Sequence, residues 1–331
     1  MNLEFHYYAV YFLCARAGFS EDEARVIATS SQHVDEALVP WEADLGSSTY
    51  HTISTQNYVF WDEDILASVY LPFHFVPGDP VLAAGRRTDR ASNRFIVTPD
   101  SPLAKTMLIE ALGTRDLFRI GIALHAYADT WAHQNFTGRT EEANVVDPAS
   151  PLPPAGHLQA LRAPDDALVL WRDDRLSPGL EFVDNRERFL AAARKIYRYL
   201  RTFRRETFAD EELVLSDLER LWKRDARDLE ARVADFCIAL DIAPYSRRTW
   251  LEEAGITDAR EEDSLVPGYN KLQWLKAEIA RRARSRESRP VNTSGRFEGS
   301  ALHRWDEAAR AHLAAATRLL REGGHLKEAA R

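Results

Sequence analysis

Three residues with metal-binding side chains recur every four positions in one apolar stretch of the chain. They are His125, Asp129 and His133, and the stretch from Gly121 to Phe136 contains no proline and no further glycine. Bulky apolar residues recur there at intervals of four, three and four, which predicts a helix with one buried face. Because a helix turns about 100° per residue, side chains four apart leave from nearly the same face. The two imidazoles and the carboxylate are therefore expected to converge.

Neutral imidazole nitrogen and carboxylate oxygen are the ligand atoms that zinc and similar divalent ions prefer. A carboxylate between two imidazoles can also bridge two metal ions about 3.5–4 Å apart. The alternative is a polar stripe satisfied by hydrogen bonds. Three such residues in register on an otherwise apolar helix favour the metal site.

Further candidate ligands precede and follow this helix. His6 falls in the first turn of an apolar helix predicted from Phe5 to Ala17, and Asp35 follows a second helix that opens with a capping box at Ser20. Asp35 is a candidate ligand or catalytic base, and a solvated carboxylate is the alternative. The other candidates lie in segments predicted to be irregular, where each is as readily a structural or solvated imidazole: His51 and His74 in a long ordered loop over 40–99, and His157 in a proline-rich loop over 139–175.

The remaining patterns predict helices with charged outer faces. Their expected ranges are 101–113, 114–136, 185–208, 210–240, 269–284 and 299–321. The fold class is therefore all-α, a multi-helix bundle with long ordered loops. We expect a single large helical domain over 1–331, with the metal ligands concentrated in 1–170 and additional helices in 180–331.

Composition excludes several classes of protein. The formal charge of −8 over 331 residues argues against binding duplex nucleic acid by phosphate neutralisation. No apolar run approaches the ~20 residues of a membrane helix, and the N-terminus lacks the features of a signal peptide. The expected location is the cytoplasm. Cys14 and Cys237 lie far apart in apolar helical contexts and are interpreted as free thiols.

The order of these residues resembles the all-α zinc-dependent phospholipases C and the related zinc-dependent single-strand nucleases. The motifs that carry the resemblance are the His-x-x-x-Asp of His125 and Asp129, followed by His133 and preceded by His6 and Asp35. The chain also resembles an uncharacterised bacterial group through Pro-Phe-His-Phe-Val-Pro-Gly and Ala-Leu-His-Ala-Tyr-Ala-Asp-Thr-Trp-Ala-His. The resemblance covers about residues 1–165.

The resemblance implies a bridging role for Asp129, with His125 on one metal ion and His133 and His157 on another. His6, Asp35 and either His51 or His74 would complete the set. The family has a carboxylate four residues after its last histidine, where this chain has Leu161, and Asp165 is the nearest substitute. The family also uses the free amino end of a processed chain as a ligand, whereas no signal peptide precedes Met1 here. We expect two or three zinc ions, with iron or manganese as alternatives.

These features predict a metal-dependent hydrolase, in the first place a phosphoesterase that uses metal-activated water, with Asp35 orienting or deprotonating the water. Its substrate would be a small-molecule or lipid-like ester. Two other classes stay open at this point. One is a non-haem iron or di-iron enzyme of oxidative chemistry, and the other is a non-catalytic helical protein with a structural metal.

Overall fold

A computed structural model of the chain describes residues 1–38, 40–57, 61–223, 228–256, 289–291 and 295–327. The α-helices are α1 (Val10–Arg16), α2 (Glu21–His33), α3 (Glu63–Ile65), α4 (Pro80–Arg86), α5 (Pro102–Thr114), α6 (Leu117–Ala132), α7 (Asn185–Arg204), α8 (Glu211–Lys223), α9 (Leu229–Leu240), α10 (Arg248–Glu253) and α11 (Ala301–Glu322). Two segments are π-helical. Glu4–Ala9 leads directly into α1, and Leu66–His74 directly follows α3. The protein is mostly helical, as the sequence predicts in outline.

Two small sheets accompany the helices. Their strands are β1 (Trp41–Asp44), β2 (Thr49–His51), β3 (Leu170–Arg172), β4 (Phe182–Asp184) and β5 (Arg289–Val291). The first sheet has the order β2-β1-β5, with β1 antiparallel to β2 and parallel to β5, and the second pairs β3 with β4 antiparallel.

Helix α6 forms the centre of the fold and is buried from Ile120 to Ala132. It packs against α2, α5, α7 and α11. Gly121 allows the closest approach, because a β-carbon at that position would lie 2.3 Å from the carbonyl oxygen of Ile27 and 2.5 Å from Cβ of Ser30 on α2. The absence of a side chain at Gly121 therefore lets α2 and α6 pack backbone against backbone.

Side-chain caps set the beginning of two helices that carry site residues. The Ser20 hydroxyl accepts a hydrogen bond from Glu23 N, and the Glu23 carboxylate accepts one from Ser20 N, which is the capping box expected for α2. The Asp116 carboxylate caps α6, so that this helix begins at Leu117 rather than at 114. Its last residue is Ala132, and the hydrogen bond of 2.8 Å from His133 N to the Asp129 carbonyl keeps His133 in helical register.

Several predicted boundaries are wrong for identifiable reasons. The range 40–99 contains β1, β2, α3, α4 and a π-helical segment; the π turn and its internal Pro72 remove the 3.6-residue period that marks an α-helix. The range 210–240 is two helices, because Asp228 is extended and caps α9. The range 139–175 includes two short 3₁₀ turns and β3. The predicted helix at 269–284 lies outside the described residues.

The end of the chain folds back on its beginning through α11. The Trp305 indole N–H donates to the Ser30 carbonyl at 3.1 Å, and Nε2 of His312 lies 3.1 Å from the Pro72 carbonyl. Burial lowers the pKa of His312 to about 4, so the ring is neutral and donates this hydrogen bond. Helix α11 thereby supports both α2 and the π-helical segment Leu66–His74.

Two simpler expectations concern cysteines and membrane helices. Cys14 is buried and Cys237 partly buried, and both are free thiols, as predicted. Among the described helices, none combines the length and the apolar character needed to cross a bilayer.

Candidate metal centre

Each π-helical segment supplies one histidine to a cluster around α6. In the first segment the amide of Val10 donates to the carbonyl of Phe5, and in the second the amide of Phe75 donates to the carbonyl of Tyr70 at 2.7 Å. Such i→i+5 turns are wider than α-helical turns and are frequent at functional sites. His6 comes from the first and His74 from the second, and both side chains are buried.

Asp129 lies in the middle of this cluster and is 1% exposed. Its Oδ1 is 3.1 Å from Nε2 of His6. Its Oδ2 is 3.4 Å from Nδ1 of His74, 3.3 Å from Nε2 of His125 and 3.6 Å from Nδ1 of His133. This carboxylate therefore faces imidazoles on several sides, as a bridging ligand would.

Asp35, just beyond α2, faces the same imidazoles from the other side. Its Oδ1 lies 3.7 Å from Nε2 of His125 and 3.8 Å from Nδ1 of His74, and its Oδ2 lies 4.0 Å from Nε2 of His6. The Gln56 amide also approaches Oδ1, at 3.5 Å. The Asp35 side chain is 26% exposed, so this edge of the cluster is open to solvent.

A second group forms around Asp165. Its Oδ1 lies 3.4 Å from Nε2 of His133, and its Oδ2 lies 3.5 Å from Nε2 of His157. Between the two groups lies the amino group of Met1, which is 2.5 Å from Oδ1 of Asp129 and 3.3 Å from Oδ1 of Asp165. The two groups are therefore adjacent parts of one site.

Backbone carbonyls fix the orientation of four of the imidazoles. A carbonyl oxygen only accepts hydrogen bonds, so the ring nitrogen beside it must carry the proton. The pairs are His125 Nδ1 with Ser31 O (2.8 Å), His74 Nε2 with Thr55 O (2.8 Å), His133 Nδ1 with His74 O (2.8 Å) and His157 Nδ1 with Leu161 O (3.0 Å). In each neutral ring the other nitrogen then carries a lone pair, and this is the outer-shell arrangement that orients metal-ligating histidines.

The lone-pair nitrogens point at other acceptors. Nδ1 of His74 and Nε2 of His125 lie 3.2 Å apart, and both face the carboxylates of Asp35 and Asp129. Lone pairs that face one another repel unless a proton or a cation lies between them. Nδ1 of His6 is also buried without a hydrogen-bond partner among the described residues.

The electrostatics favour a cation. Asp35, Asp129 and Asp165 carry three negative charges, and the amino group of Met1 carries one positive charge. Burial alone would raise the pKa of Asp129, but His133 and the amino terminus hold it well below its usual range. Burial, assisted by the charge of His125, lowers the pKa of His6 to about 3, and burial also lowers the pKa of His157. Asp129 thus stays ionised while these two imidazoles stay neutral.

His74 behaves differently from those two imidazoles. Burial lowers its pKa, but the hydrogen bond to Asp129 and the charge of Asp35 more than offset this, so the pKa of His74 is raised. A proton on His74 would compete with a cation for the same position.

The described residues fit a metal centre in their donor chemistry. They contain three groups whose nitrogen and oxygen ligand atoms lie within 4.8 Å of one another: His6, His125 and Asp129; Asp35, His74 and His125; and His133, His157 and Asp165. All the atoms are imidazole nitrogens or carboxylate oxygens, the set that zinc, iron and manganese accept.

Of the two histidines left open by the sequence, His74 is in the cluster. His51 lies on β2 with its side chain 57% exposed, and its Nδ1 is 3.6 Å from the Glu42 carboxylate. The alternative in which His51 is the ligand is therefore not supported, because the β1–β2 hairpin turns His51 to the surface. The other predicted ligand residues, His6, Asp35, His125, Asp129, His133 and His157, all lie in the three groups.

Sequence reasoning discounted the amino end as a ligand, whereas the amino group of Met1 lies within the site, and it gave Asp165 only as a substitute. Asp165 stands eight residues after His157 rather than four because the chain between them is not a helix. A single 3₁₀ turn, Leu158–Ala160, ends at Leu161, whose positive φ of 57° redirects the backbone. Helical spacing was therefore the wrong template for this carboxylate.

A buried ion pair connects two of the segments that carry candidate ligands. The Arg232 guanidinium on α9 donates to both oxygens of Glu4, at 2.8 and 3.1 Å, and to Oδ1 of Asp166 at 3.1 Å. Glu4 shares a helical turn with His6, and Asp166 adjoins Asp165. Arg232 therefore connects the segment that carries His6 to the loop that carries Asp165.

The chain matches one family model over residues 1–320, and the description of that family is "Family of unknown function (DUF6765)". The chain belongs to this family. No curated protein and no solved structure matches it. The family match spans both the ligand-bearing segments and the C-terminal helices that pack behind them.

Proposed function

We propose that this member of the DUF6765 family is a metal-dependent hydrolase of phosphoric esters, with a fold of the zinc-dependent phospholipase C type. The observation that carries the proposal is the contact between the lone-pair nitrogens of His74 and His125, 3.2 Å apart beside two carboxylates. A divalent cation relieves this repulsion and compensates the excess negative charge.

Two or three zinc ions fit the arrangement, with iron or manganese as alternatives. One would be held by Asp35, His74 and His125, a second by His133, His157 and Asp165, and a third by His6 and Asp129, because the single lone pair of His125 can bind only one ion. When bound, such ions lower the pKa of water and polarise an ester oxygen. The two carboxylate oxygens of Asp129 face different imidazoles, so each could bind one of two neighbouring ions. The Met1 amino group offers a further nitrogen ligand once it is deprotonated.

Asp35, Asp165 and His157 are the site residues that solvent and a substrate can reach. Asp35 is the most exposed of the three carboxylates, and its Oδ2 can accept a proton from an attacking water while Oδ1 faces His74 and His125. Asp165 and His157 are 18% and 21% exposed, so an ester can approach from this side as well. This access supports an open, catalytic site over a closed structural one.

The first test is metal analysis of the purified protein together with matched variants. Asp129→Asn and His125→Ala should lower metal content and thermal stability together, because metal binding is linked to folding. His51→Ala is the control, since it removes an exposed imidazole outside the three groups. Wild-type protein without stoichiometric zinc, iron or manganese would refute the proposal, as would undiminished metal in both site variants.

The second test separates reaction classes. Phosphomonoesters, phosphodiesters and carboxylic esters, including lipid-like ones, are assayed with the metal-loaded protein, and Asp35→Asn should reduce turnover of the phosphate esters. A coloured protein with iron and no ester hydrolysis would favour oxidative chemistry instead. Bound metal without activity on any of these esters would favour the structural role.

A further inference from the structure

A group of arginines lies where α4, the turn after β3 and the start of α7 meet. The amide of Ser177 donates to the carbonyl of Arg86 at 2.8 Å, and the amide of Thr88 donates to the carbonyl of Arg175 at 2.9 Å. Arg188, in the first turns of α7, lies close enough to Arg86 and Arg175 to interact with their charges. Backbone hydrogen bonds thus join the two segments that carry Arg86 and Arg175.

Two arginines of this junction have complete partners. Arg87 forms a bidentate pair with Asp89, at 3.0 and 2.7 Å, and Arg175 forms one with Asp173, at 2.8 and 2.7 Å. Their remaining Nη1 groups both donate to the Ala143 carbonyl, at 3.1 and 3.0 Å. All three nitrogens of each guanidinium therefore have an acceptor.

Arg86 and Arg188 are not satisfied in this way. Nε of Arg86 is buried without a hydrogen-bond partner among the described residues. Among the described residues, Arg188 has one long hydrogen bond, from Nη1 to Oδ1 of Asn185 at 3.4 Å. Burial, reinforced by the nearby charge of Arg86, lowers the pKa of Arg188 to about 9, although Asp173 acts in the opposite direction.

We propose that Arg86 and Arg188 bind a phosphate group. Arg188 lies within electrostatic reach of Arg86, Arg175 and Asp173, so three guanidinium groups accompany one carboxylate, an excess of two positive charges that matches a phosphate dianion. Guanidinium forks are suited to phosphate oxygens, and buried N–H groups without partners are costly until an acceptor arrives. Both side chains are partly exposed, so a small anion can reach them.

This site is separate from the candidate metal centre. The ring of Phe136 lies between them, with the Arg175 guanidinium 3.9 Å from its centroid and the His157 ring 6.1 Å from it. The arginine site contains none of the candidate metal ligands. The inference therefore does not depend on the hydrolase proposal, and each can fail without the other.

The test counts phosphate bound by the full-length protein as purified. Equilibrium dialysis with inorganic phosphate is compared between the wild type and R86Q/R188Q, with R90Q/R172Q as a control that removes two nearby exposed charges. We expect R86Q/R188Q to lose one phosphate per chain or to bind it at least about tenfold more weakly, whereas the control retains it. Phosphate that binds at the metal centre contributes equally to all three proteins.

Further arms identify the source and the chemistry of the ligand. Glycerol phosphate is tested in place of inorganic phosphate, to distinguish a phosphomonoester from the free ion. The ligand that binds with the higher affinity identifies the source of the phosphate group. R86K/R188K keeps the charges but loses the forks, and should bind with intermediate affinity even if the glutamine variant folds poorly. Unchanged phosphate stoichiometry in both variants would overturn the proposal, as would equal binding of acetate at matched ionic strength.

Discussion

Replacement of Arg232 by methionine is the perturbation that best tests how the site is held together. Arg232 is 3% exposed, and its main partner, Glu4, is fully buried on the turn that carries His6. Methionine fills much of the same volume but removes the charge and the donors. The variant therefore leaves a buried carboxylate without its partner while disturbing the packing little.

The expected cost is large. Removal of one partner from a buried ion pair costs about 3–5 kcal/mol, against a typical total stability of about 5–15 kcal/mol. With an unfolding entropy of about 2.1 cal/mol/K per residue over the whole chain, that corresponds to a fall of about 4–7 °C in the midpoint of thermal unfolding. Loss of the contact to Asp166 also loosens the loop that carries Asp165, so metal content should fall in parallel.

The cost should depend on pH in a defined direction. In the folded protein burial raises the pKa of Glu4, and Arg232 only partly opposes this. A carboxyl group whose folded pKa is raised stabilises the fold most below its ordinary pKa, and this contribution is lost as the pH rises through the folded value. Because removal of Arg232 raises the pKa of Glu4 further, the difference between variant and wild type should be smaller near pH 5 than at pH 7.

The assay is thermal unfolding of Arg232→Met, Glu4→Gln and the double variant at both pH values. If the argument is right, the double variant is more stable than Arg232→Met at pH 7, because no unpaired charge remains. Arg310→Met is the control, since it removes the exposed partner of another buried carboxylate, that of Asp306, without touching the metal loop. A double variant no more stable than Arg232→Met, or a cost independent of pH, would refute the reasoning.

Three further predictions concern packing and ligands. Gly121→Ala should destabilise the fold by about 2 kcal/mol or more, because the new methyl group meets the backbone of α2, whereas Gly113→Ala, with nothing within 4 Å, should be neutral or stabilising by up to about 1 kcal/mol in thermal unfolding. His74→Ala should lower metal content measured by elemental analysis, and His51→Ala should not. Removal of metal by a chelator should lower the unfolding midpoint, most strongly at a pH above the raised pKa of His74, where this imidazole is neutral and can bind metal.

The sequence predicted the centre of the site well where local periodicity applies. His125 and Asp129 occupy successive turns of α6, and His133 follows its last residue in helical register, because their spacing matches the helical repeat. The capping box at Ser20 likewise placed the start of α2 correctly. Both features depend on contacts within a few residues, which a single sequence displays directly.

Prediction failed where geometry depends on distant contacts. The segment that carries His74 winds as a π-helix around an internal proline, and His312 from α11 donates to the Pro72 carbonyl. The position of the Met1 amino group depends on α6, and the Glu4 partner Arg232 comes from α9. No local pattern of residues indicates such long-range pairings, so these parts of the site required the structure.

The return of α11 onto α2 and the π-helical segment has a consequence for how the protein folds. Every predicted ligand precedes residue 170, yet the segments that carry them are held by later residues: Trp305 at the Ser30 carbonyl, His312 at the Pro72 carbonyl, and Arg232 at the Glu4 and Asp166 carboxylates. Contacts of such sequence separation are slow to form, because loop closure precedes their stabilising effect. The binding of metal would then report completion of the whole chain, and a fragment ending near residue 170 would carry the ligands without the ability to hold them in place.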